Sequence, residues 1–110
     1  MAGHTSTLAK KGNCQLYFST YTGSGQYGVS SPNTLSFPKK PLLVLISRGS
    51  VRLLMVQGVG SSWAEAMGSS EGGVSVTWSG NSVSWYNNVS ADSQMDQLRN
   101  TYQVFALLAA

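Results

Sequence analysis

The sequence predicts an all-β fold, an antiparallel, jelly-roll-like β-sandwich of about six to eight short strands. Three observations carry that expectation. The stretch "VSVTWSGNSVSWY", Val74 to Tyr86, places an apolar residue at every second position on both sides of Gly80-Asn81, the pattern of a tight hairpin with one dry face. The stretch "LLVLISRGSVRLLMVQ" holds two apolar runs joined by a glycine-containing turn. The chain is 42% hydrophobic but only 10% charged, against a usual ~25% charged. Its polar surface must therefore be built from Ser, Thr, Asn, Gln and Gly, which suits an uncharged, hydrogen-bonding β domain. With 110 residues there is enough chain for one domain with a modest core.

In chain order, residues 1–13 are polar and read as a flexible N-terminal linker, leaving 14–110 as the single domain. They lack the apolar centre of a signal peptide. Gln15 to Tyr21 is rich in aromatic and β-branched residues and predicts a strand. Next comes "YTGSGQYG", in which Gly23, Gly25 and Gly28 match the G-x-G-x-x-G dinucleotide fingerprint. The fingerprint needs a helix to begin inside it and an acidic residue roughly 20 positions on. Here Pro32, Pro38 and Pro41 follow without helical spacing, and Lys40 to Ser50 contains no Asp or Glu. The glycines are therefore assigned to a turn or wide bend between strands, with a short strand near Tyr27 to Ser30 and another at Thr34 to Phe37.

Leu42 to Ser47 is a continuous apolar run, which predicts a strand buried on both faces. Gly49 takes the turn, and Val51 to Gln57 returns as its partner, making this hairpin the expected hydrophobic centre. Residues 58–73 predict a long surface loop with one helical turn at Ser62 to Met67; loops of that length usually have a task. In the following hairpin the two-residue turn sets Ser79 against Ser82, Trp78 against Val83 and Val76 against Trp85. Val74, Val76, Trp78, Val83 and Trp85 then face the core, and Ser75, Thr77, Ser84 and Tyr86 face water. Asn87 to Asn100 predicts a loop with a helical turn at Ser93 to Leu98. Thr101 to Leu108 is apolar on both faces and is expected to be an interior strand.

The inventory for catalysis is thin. His4 is the only histidine, and it lies in the tail. The carboxylates Glu65, Glu71, Asp92 and Asp96 all fall in expected loops, where a solvated acid is the norm. Gly68 to Gly72 fits G-x-S-x-G, but the nucleophile elbow needs a later histidine and a following helix, and neither is present. No His/Cys/carboxylate cluster suggests a metal. No enzyme activity, cofactor or metal is expected. Cys14 is alone, so no internal disulfide can form, and it is expected as a small buried hydrophobe. The net charge of +3 comes from scattered pairs such as Lys10/Lys11 and Lys39/Lys40. These lie apart from the tryptophans and do not make a nucleic-acid surface. No stretch is long enough to insert in a membrane as a helix.

Gly12 to Cys14, Tyr21 to Gly28, Ser31 to Phe37 and Pro41 to Ile46 follow one another as G-N-C, Y-T-G-x-G-x-Y-G, S-x-P-N-x-L-x-F and a proline before an apolar strand. Val76 to Asn87 and the closing "TYQVFALL" continue the series. In this order the segments resemble the C-terminal receptor-binding module of phage and prophage tail-fibre proteins from gut Firmicutes, over roughly residues 12 to 108. The resemblance implies a homotrimeric tip on a virion tail fibre or baseplate that recognises a bacterial surface glycan or envelope protein. It carries over no catalytic residue, and it gives the three glycines a structural role. The chain departs from that pattern at the basic Lys39/Lys40 and in its apolar ending "LLAA", which suits burial against a neighbouring subunit. The candidate contact regions are the loops 58–73 and 87–100. Trp63 either anchors its loop or faces a ligand; Trp63, Tyr86, Asn87, Asn88 and Arg99 are the candidate ligand-binding residues, the aromatics for stacking and the amides and guanidinium for hydroxyls or carboxylates. Two alternatives carry different expectations. A virion decoration or fibre-cap domain would assemble without binding host cells. A polysaccharide depolymerase fragment would bring two carboxylates into one groove.

Overall fold

The computed structural model describes residues 14–65 and 73–110. The expected linker 1–13, Glu71 and the Gly68 to Gly72 motif lie outside the described residues.

Among the described residues eight strands follow in order: β1 (Cys14–Thr22), β2 (Asn33–Ser36), β3 (Pro41–Arg48), β4 (Val51–Val56), β5 (Ser61–Glu65), β6 (Gly73–Ser79), β7 (Ser82–Tyr86) and β8 (Thr101–Ala109). Every pairing is antiparallel. Two four-stranded sheets result, β1–β8–β3–β4 and β5–β6–β7–β2, forming a β-sandwich. Strands β3 to β7 run as a meander, while β8 returns between β1 and β3, and β2 pairs with β7 at the far edge. The chain ends thus wrap in a jelly-roll-like manner around a simple middle. The two sheets are joined on one side by the pairing of Arg52 with Glu65 and Leu53 with Ala64. On the other side β1 and β2 are edge strands that do not pair with each other.

The β6–β7 hairpin has the register its spacing predicts: Ser79 opposite Ser82, Trp78 opposite Val83 and Val76 opposite Trp85. Gly80 supplies the positive φ, 57°, at the first turn position, where an L side chain would be strained. Val74, Val76, Val83 and Trp85 are buried, and Trp78 packs against them. From the opposite sheet come Val44, Ile46, Leu53, Met55, Tyr102, Val104, Ala106 and Leu108. Each large side chain so buried contributes about 1.5–3 kcal/mol, which makes this two-sheet core the main source of stability.

β8 is the interior strand its sequence predicts, lying between β1 and β3, but the expectation that β3 is buried on both faces is corrected. A two-layer sandwich covers only one face of each sheet, so alternate residues of these strands point away from the core. They meet their neighbours in register. Leu16, Leu107, Leu43 and Val56 form one row across β1, β8, β3 and β4. Phe18, Phe105, Leu45 and Leu54 form the next, with the Phe18 and Phe105 rings 5.1 Å apart. The row after that is polar: Thr20, Gln103, Ser47 and Arg52. The outer face of the other sheet is hydroxyl-rich, with Thr34 bonded to Ser84 at 3.2 Å and Ser36 to Ser82 at 3.0 Å.

Four local expectations also change. Ser61 to Glu65 is a strand rather than part of a helical turn, because β6 offers it a partner edge at Ser75, Val74 and Gly73. Tyr27 to Ser30 bends and turns instead of forming a strand. The helical turn expected at Ser93 to Leu98 is a single turn over 91–95. It stops at Met95, whose φ of 61° leaves the helical region as its side chain inserts into the core. Cys14 is exposed rather than buried, being at the start of the edge strand.

Candidate functional site

The site grows from the meeting of two loops, 23–32 and 87–100. Gly23 opens the first loop against the second. Its amide donates to the Asn100 carbonyl at 2.8 Å, and its carbonyl accepts from the Arg99 amide at 3.1 Å. A Cβ at position 23 would fall 2.0 Å from the Gln97 carbonyl oxygen, so only glycine allows this approach. Gly28, at φ 99°, turns its amide onto the side chain of Gln94. The glycine trio therefore joins two loops of one chain, as a structural signature rather than a phosphate cradle.

Gln94 is fully buried, and its side-chain amide is fully used. Oε1 accepts from the amides of Gly28 at 2.9 Å and Asn87 at 2.8 Å. Nε2 donates to the Ser31 carbonyl at 2.8 Å and to Asn33 Oδ1 at 3.1 Å. Its backbone carbonyl accepts from Trp85 Nε1 at 2.8 Å. One side chain thus ties the first loop, the start of β2 and the start of the second loop together. Asp96, also buried, continues the seam: Oδ1 accepts from the Ser24 amide at 3.0 Å and Oδ2 from the Ser24 hydroxyl at 2.5 Å.

Beside this seam, at the end of β1 and along β2, lies a cleft of about 220 Å³. It is smaller than the ~300–1,000 Å³ of sites for drug-sized ligands, and of a size for one sugar ring or a short side chain. Its solvent-facing rim is Ser24, Gln26, Ser31, Pro32, Asn33 and Thr34, with Tyr21 and Leu35 on the wall. Trp85 lies behind the wall with none of its surface reaching solvent. It shapes the cleft and is not available for stacking. The Tyr21 ring stacks on Tyr102 at 5.1 Å, and its hydroxyl donates to the Met95 carbonyl at 2.6 Å. Burial first, then Tyr102 and Asp96, raise the phenol well above the usual tyrosine range. Tyr21 is thus held as a neutral donor. The Ser24 and Thr34 hydroxyl protons are given to Asp96 and Ser84, so the rim offers the Gln26 amide, the second N–H of Asn33 and the remaining lone pairs of the hydroxyls, groups that pair with sugar hydroxyls.

The five residues expected from sequence do not converge. Trp63 is 56% exposed on β5. Its ring lies over Gly73, 3.4 Å from where a Cβ would stand, and borders a surface pocket with Leu45, Arg52, Leu54 and Ser62. Tyr86 ends β7 on the hydroxyl-rich face, opposite Ser75. Asn87 is 2% exposed and shapes its own loop: Nδ2 donates to the Gly73 carbonyl at 2.6 Å, and Oδ1 accepts from the amides of Val89 and Ser90 at 2.7 and 3.0 Å. Asn88 is exposed beside Gly28. Arg99 is exposed at a turn with φ 68°. The second loop turns its middle, Ser93 to Asp96, into the protein.

The rim residues Ser24, Gln26, Ser31, Asn33 and Thr34 are not among those the sequence singles out. The signal available was the density of small polar residues around the glycines, in a segment between two strands. Among the described residues there is no group of three or more His, Cys, Asp or Glu that could hold a metal. Compared with known protein families, curated proteins and solved structures, the chain shows no match.

Proposed function

We propose that this domain is a non-catalytic receptor-recognition module of the phage tail-fibre kind, carried in several copies, as in a trimeric tip, on the outside of a virion. It reads a bacterial surface saccharide through the cleft beside Tyr21. The observation that carries this reading is the rim of hydroxyl and amide groups at Ser24, Gln26, Asn33 and Thr34, set on loops that the Gln94 amide holds in place. A rim held in place loses little freedom on binding, which favours weak, specific recognition of a polar ligand. Several copies would turn that into useful avidity. Among the described residues Asp96 is the only carboxylate lining the cleft, and its two oxygens already accept from Ser24. That arrangement serves structure better than the two-carboxylate chemistry of a depolymerase.

The test is saturation-transfer NMR of the intact chain with a panel of bacterial surface saccharides, followed by titration of any binder. Gln26→Ala removes an exposed side chain and leaves the fold alone. It should weaken a binding saccharide at least about fivefold, the loss of roughly one hydrogen bond. Adsorption to bacteria with no saccharide binding would move the reading to a protein receptor. No binding to saccharides or cells would leave the assembly-only role, a decoration or cap domain.

A further inference from the structure

The geometry points to the outer face of the β1–β8–β3–β4 sheet as the surface on which a second copy of this chain packs. An antiparallel sheet that faces water normally alternates apolar-in with polar-out. The hydroxyl-rich face of the opposite sheet obeys that rule; this one breaks it in two complete, in-register rows. The breach is largest at the edge strand, where Phe18 is 70% and Leu16 59% exposed. Leu54, Val56 and Trp63 extend it across the sheet and onto β5.

The area suits a partner of the same kind. From the residue exposures, the patch leaves on the order of 700 Å² open per copy, above the ~300–600 Å² largest patch of a typical monomer. It is close to the ~800 Å² that each partner buries in a stable complex. Charge suits a self-packed interface as well. Within the two apolar rows there is no charged side chain, and Arg52 stands in the polar row beside them. Two such faces can meet without setting like charges against each other. Flat rows of Leu, Val and Phe pack sheet on sheet at about 10 Å, as inside a sandwich. The polar row of Thr20, Gln103, Ser47 and Arg52 then marks the rim. This deepens the multi-copy part of the proposed function and rests on it; it does not depend on what the cleft binds.

The experiment is the mass of the intact chain in solution, by light scattering and sedimentation over a wide range of concentration. Wild type is compared with Phe18→Glu, Leu54→Glu and, on the opposite face, Thr77→Glu. All three side chains are exposed, and thermal unfolding confirms that each variant folds. The expected result is a wild-type assembly of two or three copies. Phe18→Glu and Leu54→Glu should each weaken it by about thirtyfold or more, as hot-spot residues do, and Thr77→Glu should leave it intact. A wild-type monomer at every concentration overturns the inference together with the multi-copy reading. A wild-type assembly that survives both Phe18→Glu and Leu54→Glu, or that only Thr77→Glu dissociates, overturns the face alone.

Discussion

Replacing Gln94 with methionine tests the junction on which the cleft depends. Methionine matches the glutamine in length and flexibility but cannot donate or accept usefully. The substitution removes the partners of the Asn87 and Gly28 amides, the Ser31 carbonyl and Asn33 Oδ1. Asn87 is buried, so its stranded N–H costs the desolvation penalty of about 1–3 kcal/mol. The other three are in half-buried residues and can partly recover water, at roughly 0.5–1 kcal/mol each. The sum is about 2.5–6 kcal/mol, a large share of the ~5–15 kcal/mol that holds such a domain together. In thermal unfolding it should appear as a fall in Tm of roughly 15–30 °C, and in urea as a lower midpoint with an unchanged slope. Gln94→Glu separates hydrogen bonding from shape. It keeps an acceptor for the two amides but sets a carboxylate oxygen against the Ser31 carbonyl and Asn33 Oδ1. Burial raises the pKa of such a glutamate, so its stability should recover on acidification as the group becomes a neutral donor. A Gln94→Met variant within about 1 kcal/mol of wild type would refute the view that this amide organises the loops.

Gly23→Ala should destabilise the domain by at least ~2 kcal/mol, because the new methyl collides with the Gln97 carbonyl; faster hydrogen exchange of the Gly25 amide, which donates to the Asp96 carbonyl, would locate the damage. The raised pKa of Tyr21 sets an alkaline limit. The unfolded chain loses this proton first, so stability is full below the usual tyrosine value near 10 and falls above it by up to ~1.4 kcal/mol per pH unit. Tyr21→Phe should flatten that part of the profile, at a cost near 1 kcal/mol at neutral pH for the lost bond to Met95. Asp92→Asn should cost less than ~1 kcal/mol, since the Arg48–Asp92 pair, at 3.1 Å, is 33% and 40% exposed on its two sides; urea midpoints would show it.

What the sequence determined by itself is the local part of this protein. Alternation is a one-dimensional signal, so Val74 to Tyr86 specified its turn, its register and its dry face without help from the rest of the chain. The same holds for the Gly49 turn between β3 and β4, and for the sandwich class that follows from many short strands. Tertiary structure decided where one segment's meaning depends on another. Both faces of β3 and β8 are apolar, so only the two-layer architecture determines which face becomes core and which is left bare. β5 became a strand because β4 and β6 each offered it an edge. The second loop, polar in sequence, turns Gln94 and Met95 inward because Gly28, Asn87 and Ser31 supply partners for the amide and the core supplies a socket for the thioether. Ser24 meets Asp96 across 72 residues of chain, a distance over which no spacing rule acts. The cleft lies beside that contact, where the unjoined edges of the two sheets leave room.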